Sequence, residues 1–360
     1  MARWATYRVS PMKQLQALLN DFLKAHNDMP GVVMHVEAPT LGCSWSGGAG
    51  VVERNGAPLI GDECFRVASI TKTFVAVSVL RLIERGVFAL DDPALPHIPE
   101  PAASMLIRAM PDAVSITVRQ LLNHTSGVYD FGNDDNYRRA IGADPQRKWS
   151  AIDLIGVAFD HGHPYSTPGS EFHYSDTGYV LLALILERHT DLPFAAALRS
   201  ESGINLLGLR HTWLEGKEIM PASAPVRAHQ YLGPTDTYGF DPSFDGYGGG
   251  GLVSTGRDLS FFVRSVVKSE LLSPSNTSSM LNCSINTDLG DLGQRMGLGI
   301  FESTIDGIIR IGHEGFWGTW MYHFPEHDIS VGGAHTAVPF DMAAKQHLLN
   351  GAVQILAVGG

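Results

Sequence analysis

The sequence predicts an α+β fold: an antiparallel sheet flanked by helices, with a mostly helical region inserted into it. Three observations point there. Strand-like runs gather towards the C-terminus, two more precede the first strongly apolar helix, and helical spacing marks both ends of the chain. The expected layout is a discontinuous sheet unit, residues 1–90 and 245–360, around a helical unit, residues 91–244.

The elements follow in order. Residues 12–26 alternate polar and apolar positions at helical spacing and read as a surface helix. Residues 31–37 read as a strand and residues 44–53 as a second, with Gly47-Gly48 marking a bend or bulge. A short extended entry, residues 63–68, leads into an apolar helix over 73–85 that Gly86 stops. Pro93, Pro96, Pro99 and Pro101 then mark a loop-rich exit. Helices are expected over 116–122, 149–159 and 176–188, with a turn at Pro168-Gly169-Ser170. Gly248-Gly249-Gly250-Gly251 precedes a helix over 257–268. No lysine-serine or lysine-threonine pair follows those glycines, so close backbone approach explains them better than phosphate binding. Strands over 296–302, 308–311, 319–324 and 329–335 and a last helix over 342–356 complete the chain.

Composition bounds the function. With 360 residues, 44% hydrophobic and 18% charged, the chain is an ordinary globular protein with ample core. A formal net charge of -11 argues against a nucleic-acid partner. No apolar run reaches the length of a membrane span; 180–186 is core-helix sized. Met1-Ala2-Arg3-Trp4 lacks the pattern of a secretory leader, so a cytoplasmic protein is expected, with a secreted or periplasmic one whose leader was removed as the alternative. Cys43, Cys64 and Cys283 have no metal-ligand spacing and read as buried thiols. Nothing in the sequence fixes the oligomeric state.

Three clusters carry candidate chemistry. Ser69-Ile70-Thr71-Lys72 opens the apolar helix, and residues three apart share a helix face, so the Lys72 amine can reach the Ser69 hydroxyl. A desolvated, neutral lysine there can serve as base for a nucleophilic serine, and the free N–H groups of a helix start face the reacting carbonyl. Two further Ser-x-x-Lys quartets, starting at Ser10 and Ser265, lack the strand-like entry and the apolar helix start. The second cluster is Tyr174-Ser175-Asp176, where a tyrosine near cations can shuttle a proton or simply be half-buried beside a helix cap. The third is His313-Glu314-Gly315, at the end of a short strand and followed by Phe316 and Trp317, where a histidine on an edge strand can place a donor or positive charge over a site. His161-Gly162-His163 is the only close histidine pair, and neither a zinc-binding His-Glu-x-x-His nor a Gly-x-Ser-x-Gly elbow occurs.

Ser-x-x-Lys, Tyr-x-Asp and His-x-Gly in that order and at wide spacing resemble the serine β-lactamase and penicillin-binding-protein family. The similarity is to its branch of class C β-lactamases, DD-carboxypeptidases, D-aminopeptidases and esterases, and extends from about Gly31 to the final helix. The resemblance implies a β-lactamase/transpeptidase-like fold with its site between the sheet and the helical region. It implies that Ser69 forms an acyl-enzyme, that Lys72 and Tyr174 share the proton transfers, and that His313 replaces the lysine many relatives carry. The N–H groups of Ser69 and Phe316 would form the oxyanion hole, and no cofactor is required. Asp176, Glu314, Gly315 and Trp317 would contact the substrate; Phe316, Trp317, Trp320 and Tyr322 either line an acyl pocket or are ordinary sheet aromatics.

Two departures qualify the resemblance. Asp176 stands where the family more often has asparagine, and a carboxylate beside Lys72 favours the charged amine; a Lys72–Asp176 pair would compensate, with Tyr174 carrying more of the proton traffic. Glu314 stands where relatives have threonine or a small residue, and would repel a substrate carboxylate if it faces the cleft. The expectation is a serine hydrolase of small esters or amides that prefers uncharged substrates, or ones with a free amine, over β-lactams. A D-amino-acid peptidase, DD-carboxypeptidase or β-lactamase, an acyltransferase using the same intermediate, and a non-catalytic binding protein of the same fold are the alternatives.

Overall fold

The computed structural model describes residues 10–287, 289 and 293–359. The N-terminal run read for a leader, Met1 to Trp4, lies outside them. Strands β1 (Gly31–Ala38), β2 (Cys43–Gly50), β3 (Ile285–Asn286), β4 (Arg295–Met296), β5 (Phe301–Ile305), β6 (Ile308–Gly315), β7 (Thr319–Phe324) and β8 (Ile329–His335) form one sheet in the order β2-β1-β8-β7-β6-β5-β4-β3. Every pairing in it is antiparallel, and β1 pairs with β8 from Val32↔His335 to Glu37↔Ser330. The α+β fold class expected from the sequence is the one observed, and the two ends of the chain meet in one layer.

Helices α1 (Pro11–Ala25) and α5 (Met342–Gly359) cover one face of that sheet. Leu15, Leu19 and Phe22 of α1 and Leu348, Leu349 and Val353 of α5 bury against Met34, Trp320, Tyr322 and Phe324. Helices α2 (Thr71–Glu84), α3 (Asp176–Thr190) and α4 (Gly256–Val267) belong to the other side. On α2, Phe74, Val75, Val77, Val79 and Leu80 are all fully buried, as expected of a helix apolar on every side. Phe74 stacks on Phe262 of α4, ring centroids 3.5 Å apart. Between α2 and α3 the chain is mainly helical; its Val118–Leu122 and Ala151–His161 helices start with capping boxes at Thr117/Gln120 and Ser150/Asp153. Among the described residues no helix is long and apolar enough to cross a membrane, and the three cysteines are buried and unpaired.

Two sequence readings are corrected. Gly47-Gly48 is no bulge, because β2 pairs with β1 in unbroken register from Gly31↔Gly50 to Ala38↔Cys43. These glycines are there for room: a Cβ at Gly47 would meet the Trp45 ring at 2.2 Å, and one at Gly48 would meet Leu59 at 2.8 Å. Residues 296–302 are not one strand but the end of β4, a turn with Gly299 at φ +69, and the start of β5.

Backbone contact also seats α4 on the sheet. A Cβ on Gly332 of β8 would lie 2.2 Å from the Gly256 carbonyl oxygen, backbone that has no rotamer with which to yield. Gly332→Ala is therefore expected to destabilise the protein by about 1–3 kcal/mol in urea unfolding. Gly239→Ala, where nothing lies within 4 Å, should change stability by no more than about 0.5 kcal/mol.

Candidate active site

Ser69 sits in the short 3-10 turn Ala68–Ile70 that leads from the strand Cys64–Arg66 into α2. Ala68 takes φ +47, a left-handed conformation unusual for a residue with a side chain, immediately before the serine. The end of β6 is clamped against this turn. Thr319 Oγ1 donates to the Val67 carbonyl oxygen at 3.0 Å, and a Cβ at Gly315 would lie 2.1 Å from that same oxygen. Glycine at 315 is thus required by how closely the strand passes the turn that carries the serine.

Lys72, one turn on from Ser69 at the start of α2, has no exposed surface. Its Nζ donates to Ser69 Oγ at 2.9 Å and to the Gly249 carbonyl at 2.6 Å, and lies 2.5 Å from Asp176 Oδ1. These three partners match the three donors of an ammonium group. Burial alone would pull the amine's pKa down, but the Asp176 carboxylate, with Tyr174 behind it, outweighs burial and holds it above the ordinary lysine value. Lys72 is therefore a cation here, not the neutral amine expected from desolvation. The Gly248–Gly251 run brings a carbonyl to it: Gly248 at φ +71 lies so close to α3 that a Cβ would be 2.3 Å from the Tyr179 oxygen.

Tyr174 and Asp176 flank the start of α3. Lys72 Nζ lies 4.9 Å from the Tyr174 ring centroid. The Tyr174 hydroxyl is buried and makes no regular hydrogen bond among the described residues. Burial pushes its pKa up to about 12, with the Lys72 charge pulling down and the Asp176 charge pushing up.

His313 and Glu314 both belong to β6, which extends four residues beyond the expected strand end, and they point to opposite faces. β6 is an interior strand; only beyond Gly312, where the β5 pairing ends, is its outer edge open. His313 Nδ1 is 2.7 Å from the Glu314 carbonyl oxygen, which can only accept, so the ring proton sits on Nδ1. Burial and the Lys72 charge lower its pKa to about 4. His313 is thus neutral and presents at Nε2, buried and unpartnered among the described residues, an acceptor rather than a donor or positive charge.

Glu314 is held from the terminal-helix side. Lys345 Nζ of α5 donates to Oε2 at 2.5 Å and the Tyr322 hydroxyl to Oε1 at 2.6 Å. Burial would raise its pKa, but the charges of Lys345 and Arg310 hold it below the usual carboxylate value. Its charge is therefore balanced, and the acidity of the cleft comes from elsewhere. Asp130 accepts from the N–H groups of Asp176 and Gly132, both at 3.0 Å, and Asp245 has no hydrogen-bond or ion-pair partner among the described residues. Burial, then the nearby Asp176 charge, pushes each up to about 7. Neither was singled out from the sequence. Both precede loop glycines, Gly132 and Gly246, and read there as ordinary loop acids.

A cavity of about 820 Å³ joins these groups. Ser69, Tyr174, Asp176 and His313 line it, as do Glu314, Gly315, Phe316 and Trp317, with Lys72 beneath. Phe244, Trp317 and Phe340 make much of its wall apolar. Trp320 and Tyr322 instead lie in the core under α1 and α5. The other two Ser-x-x-Lys quartets are remote from this arrangement: Ser10 precedes α1, and Lys268 pairs with Asp328 at 2.8 Å. No metal-binding cluster occurs among the described residues.

The family model described as Beta-lactamase matches residues 19–353. The chain belongs to the beta-lactamase family. Its sequence is similar to penicillin-binding protein 4* of Bacillus subtilis, 27% identical over 230 residues, which is 61% of this chain and 45% of that protein. It is 35% identical over 160 residues to esterase EstB of Burkholderia gladioli, 41% of this chain and 38% of that one. The chain thus matches less than half the length of these curated relatives. Among solved structures, a D-stereospecific amidohydrolase from Streptomyces sp. superposes with a TM-score of 0.79 at 28% identity, covering 93% of this chain and 97% of the other.

Within this family member, the Glu314–Lys345 pair joins α5 to the strand that bears His313. Lys345→Met or Glu314→Gln alone, each leaving one buried charge unpaired, should cost about 3–5 kcal/mol in chemical unfolding, and the double variant much less than the sum. Since the folded-state pKa of Glu314 lies below its ordinary value, its contribution is present above the ordinary carboxylate pKa and is lost as pH falls through the lowered one. Glu314→Gln should accordingly flatten the acid limb of stability against pH.

Proposed function

We propose that this protein is a serine hydrolase that forms an acyl-enzyme on Ser69 and cleaves a small ester or amide. The observation that carries the reading is the Ser69 hydroxyl at 2.9 Å from a fully buried lysine, at the wall of the cavity that Tyr174 and His313 also line. Ser69 Oγ attacks the substrate carbonyl, and the N–H groups of Ser69 and Phe316 donate to the developing oxyanion. Lys72 remains charged because Asp176 holds its proton, so the group that takes the serine proton is Tyr174 as a tyrosinate stabilised by Lys72. The same proton then passes to the leaving oxygen or nitrogen as the tetrahedral adduct collapses. In the second half-reaction the tyrosinate takes a proton from water, whose oxygen attacks the acyl carbon, and Ser69 Oγ leaves with that proton.

Intact-mass spectrometry with p-nitrophenyl butyrate, with Ser69→Ala as control, tests the reading. A burst with a mass gain on the wild-type protein that the variant lacks is expected; no adduct and no turnover would favour a non-catalytic binder. Because the reactive form has lost a proton from a trio whose Tyr174 is pushed up to about 12, kcat/KM should rise with pH through the neutral and into the alkaline range. The Asp176 charge raises both Tyr174 and Lys72, so Asp176→Asn should move that rising limb roughly 1–3 pH units toward acid. A limb that Asp176→Asn leaves in place would contradict the assignment.

The unpartnered Asp245 carboxylate favours a second, narrower reading. With Asp130 and Asp176 it gives the cleft more carboxylates than cations, which suits acyl groups bearing a free amine, and the similar Streptomyces protein is by its title a D-stereospecific amidohydrolase. A D-aminoacyl p-nitroanilide should be hydrolysed with a kcat/KM at least about tenfold above that of its N-acetyl derivative, as a charge-assisted contact of about 1.4 kcal/mol or more requires. Equal rates would remove this narrower reading.

A further inference from the structure

We infer that His124 is the positioning residue for Tyr174, an inference that rests on the serine-hydrolase reading above. His124 follows the Val118–Leu122 helix and adopts φ +60, a strained conformation for a histidine, while only 1% exposed. It grips the Tyr174 segment at three points. Its backbone carbonyl accepts the His173 N–H at 2.8 Å, and its Nδ1 accepts the Ser175 N–H at 3.1 Å. Between those two bonds its ring stacks on the Tyr174 ring, centroids 4.2 Å apart and planes 28° from parallel. The residues on either side of the tyrosine, and the phenol itself, thus all rest on one buried side chain.

The tautomer follows from the contacts. A backbone N–H can only donate, so Nδ1 carries the lone pair and Nε2 the proton. Protonation would abolish the bond to Ser175, and the surroundings oppose it: burial first, then the Lys72 charge from α2, keep the imidazole neutral, with His313 of β6, itself uncharged, also facing it. Tyr179 of α3 also packs against it, ring centroids 5.1 Å apart. A neutral ring fixed in this way leaves Lys72, among the described residues, as the cation over the phenol ring, which is what makes the direction of proton transfer definite. His124 is not among the residues that line the cavity, so its effect on catalysis is exerted through Tyr174.

Two substitutions separate the contacts. His124→Asn keeps a short acceptor and tolerates the left-handed backbone, whereas His124→Phe keeps the stacked ring and loses the acceptor. With folding verified by thermal melting, both should lower kcat about tenfold to a hundredfold with KM within about threefold, the size of effect expected when a reacting group shifts by about an ångström. In a Tyr174→Phe background the same substitutions should produce no further loss, which a general structural role would not predict. A second readout needs no turnover: difluorotyrosine placed at position 174 and titrated by 19F NMR should ionise at lower pH in His124→Asn, as the phenol gains access to water. Full additivity with Tyr174→Phe together with an unmoved titration would overturn the inference. Failure of the wild-type protein to acylate Ser69 would instead overturn the hydrolase reading, and the titration would still report on His124.

Discussion

A lysine amine with no exposed surface must either lose its proton or find a counter-charge, and Lys72 has found Asp176 at 2.5 Å. Much of the site follows from that pair. The Gly249 carbonyl completes the coordination of the ammonium, which requires the glycine run to press against α3. The charge it keeps adds to burial in holding His313 neutral and opposes the rise of the Tyr174 pKa. Asp176 in turn raises the pKa values of Asp130 and Asp245, so the acidic side of the cleft is electrically linked to the lysine beneath it.

The fold holds these groups in place by backbone contact as much as by side-chain packing. Gly315 lies against the Val67 carbonyl, and Gly256 and Gly332 bring α4 onto the sheet. Each contact excludes even a methyl group. The cleft thus lies where β6 passes the start of α2, and its charges are separated: the balanced Glu314–Lys345 pair on the terminal-helix side, the unbalanced carboxylates on the side of α3.

Much of this was legible in the sequence because it depends on local pattern. The apolar run of α2, the helix of α3 and the alternating C-terminal strands are fixed by the spacing of their apolar residues. Ser-x-x-Lys spacing alone places the amine over the hydroxyl, and Asp176 was expected to hold the lysine charged. What was not legible depends on chain segments distant in sequence. Gly47-Gly48 reads as a bulge until the Trp45 ring and Leu59 are packed against it. The charge state of His313 depends on the carbonyl its Nδ1 meets, and that of Glu314 on a lysine from the last helix. Asp130, Asp245 and His124 carry no local signal; only tertiary proximity to Asp176 and Tyr174 gives them a role.

The charge of Lys72 is the central claim, and heteronuclear NMR of lysine labelled at Nζ and Cε measures it directly. The account predicts a Lys72 resonance that stays cationic past the ordinary lysine pKa of about 10.4 and titrates earlier in Asp176→Asn. A midpoint below that value in the wild-type protein would make Lys72 the resting base and contradict the proton route through Tyr174.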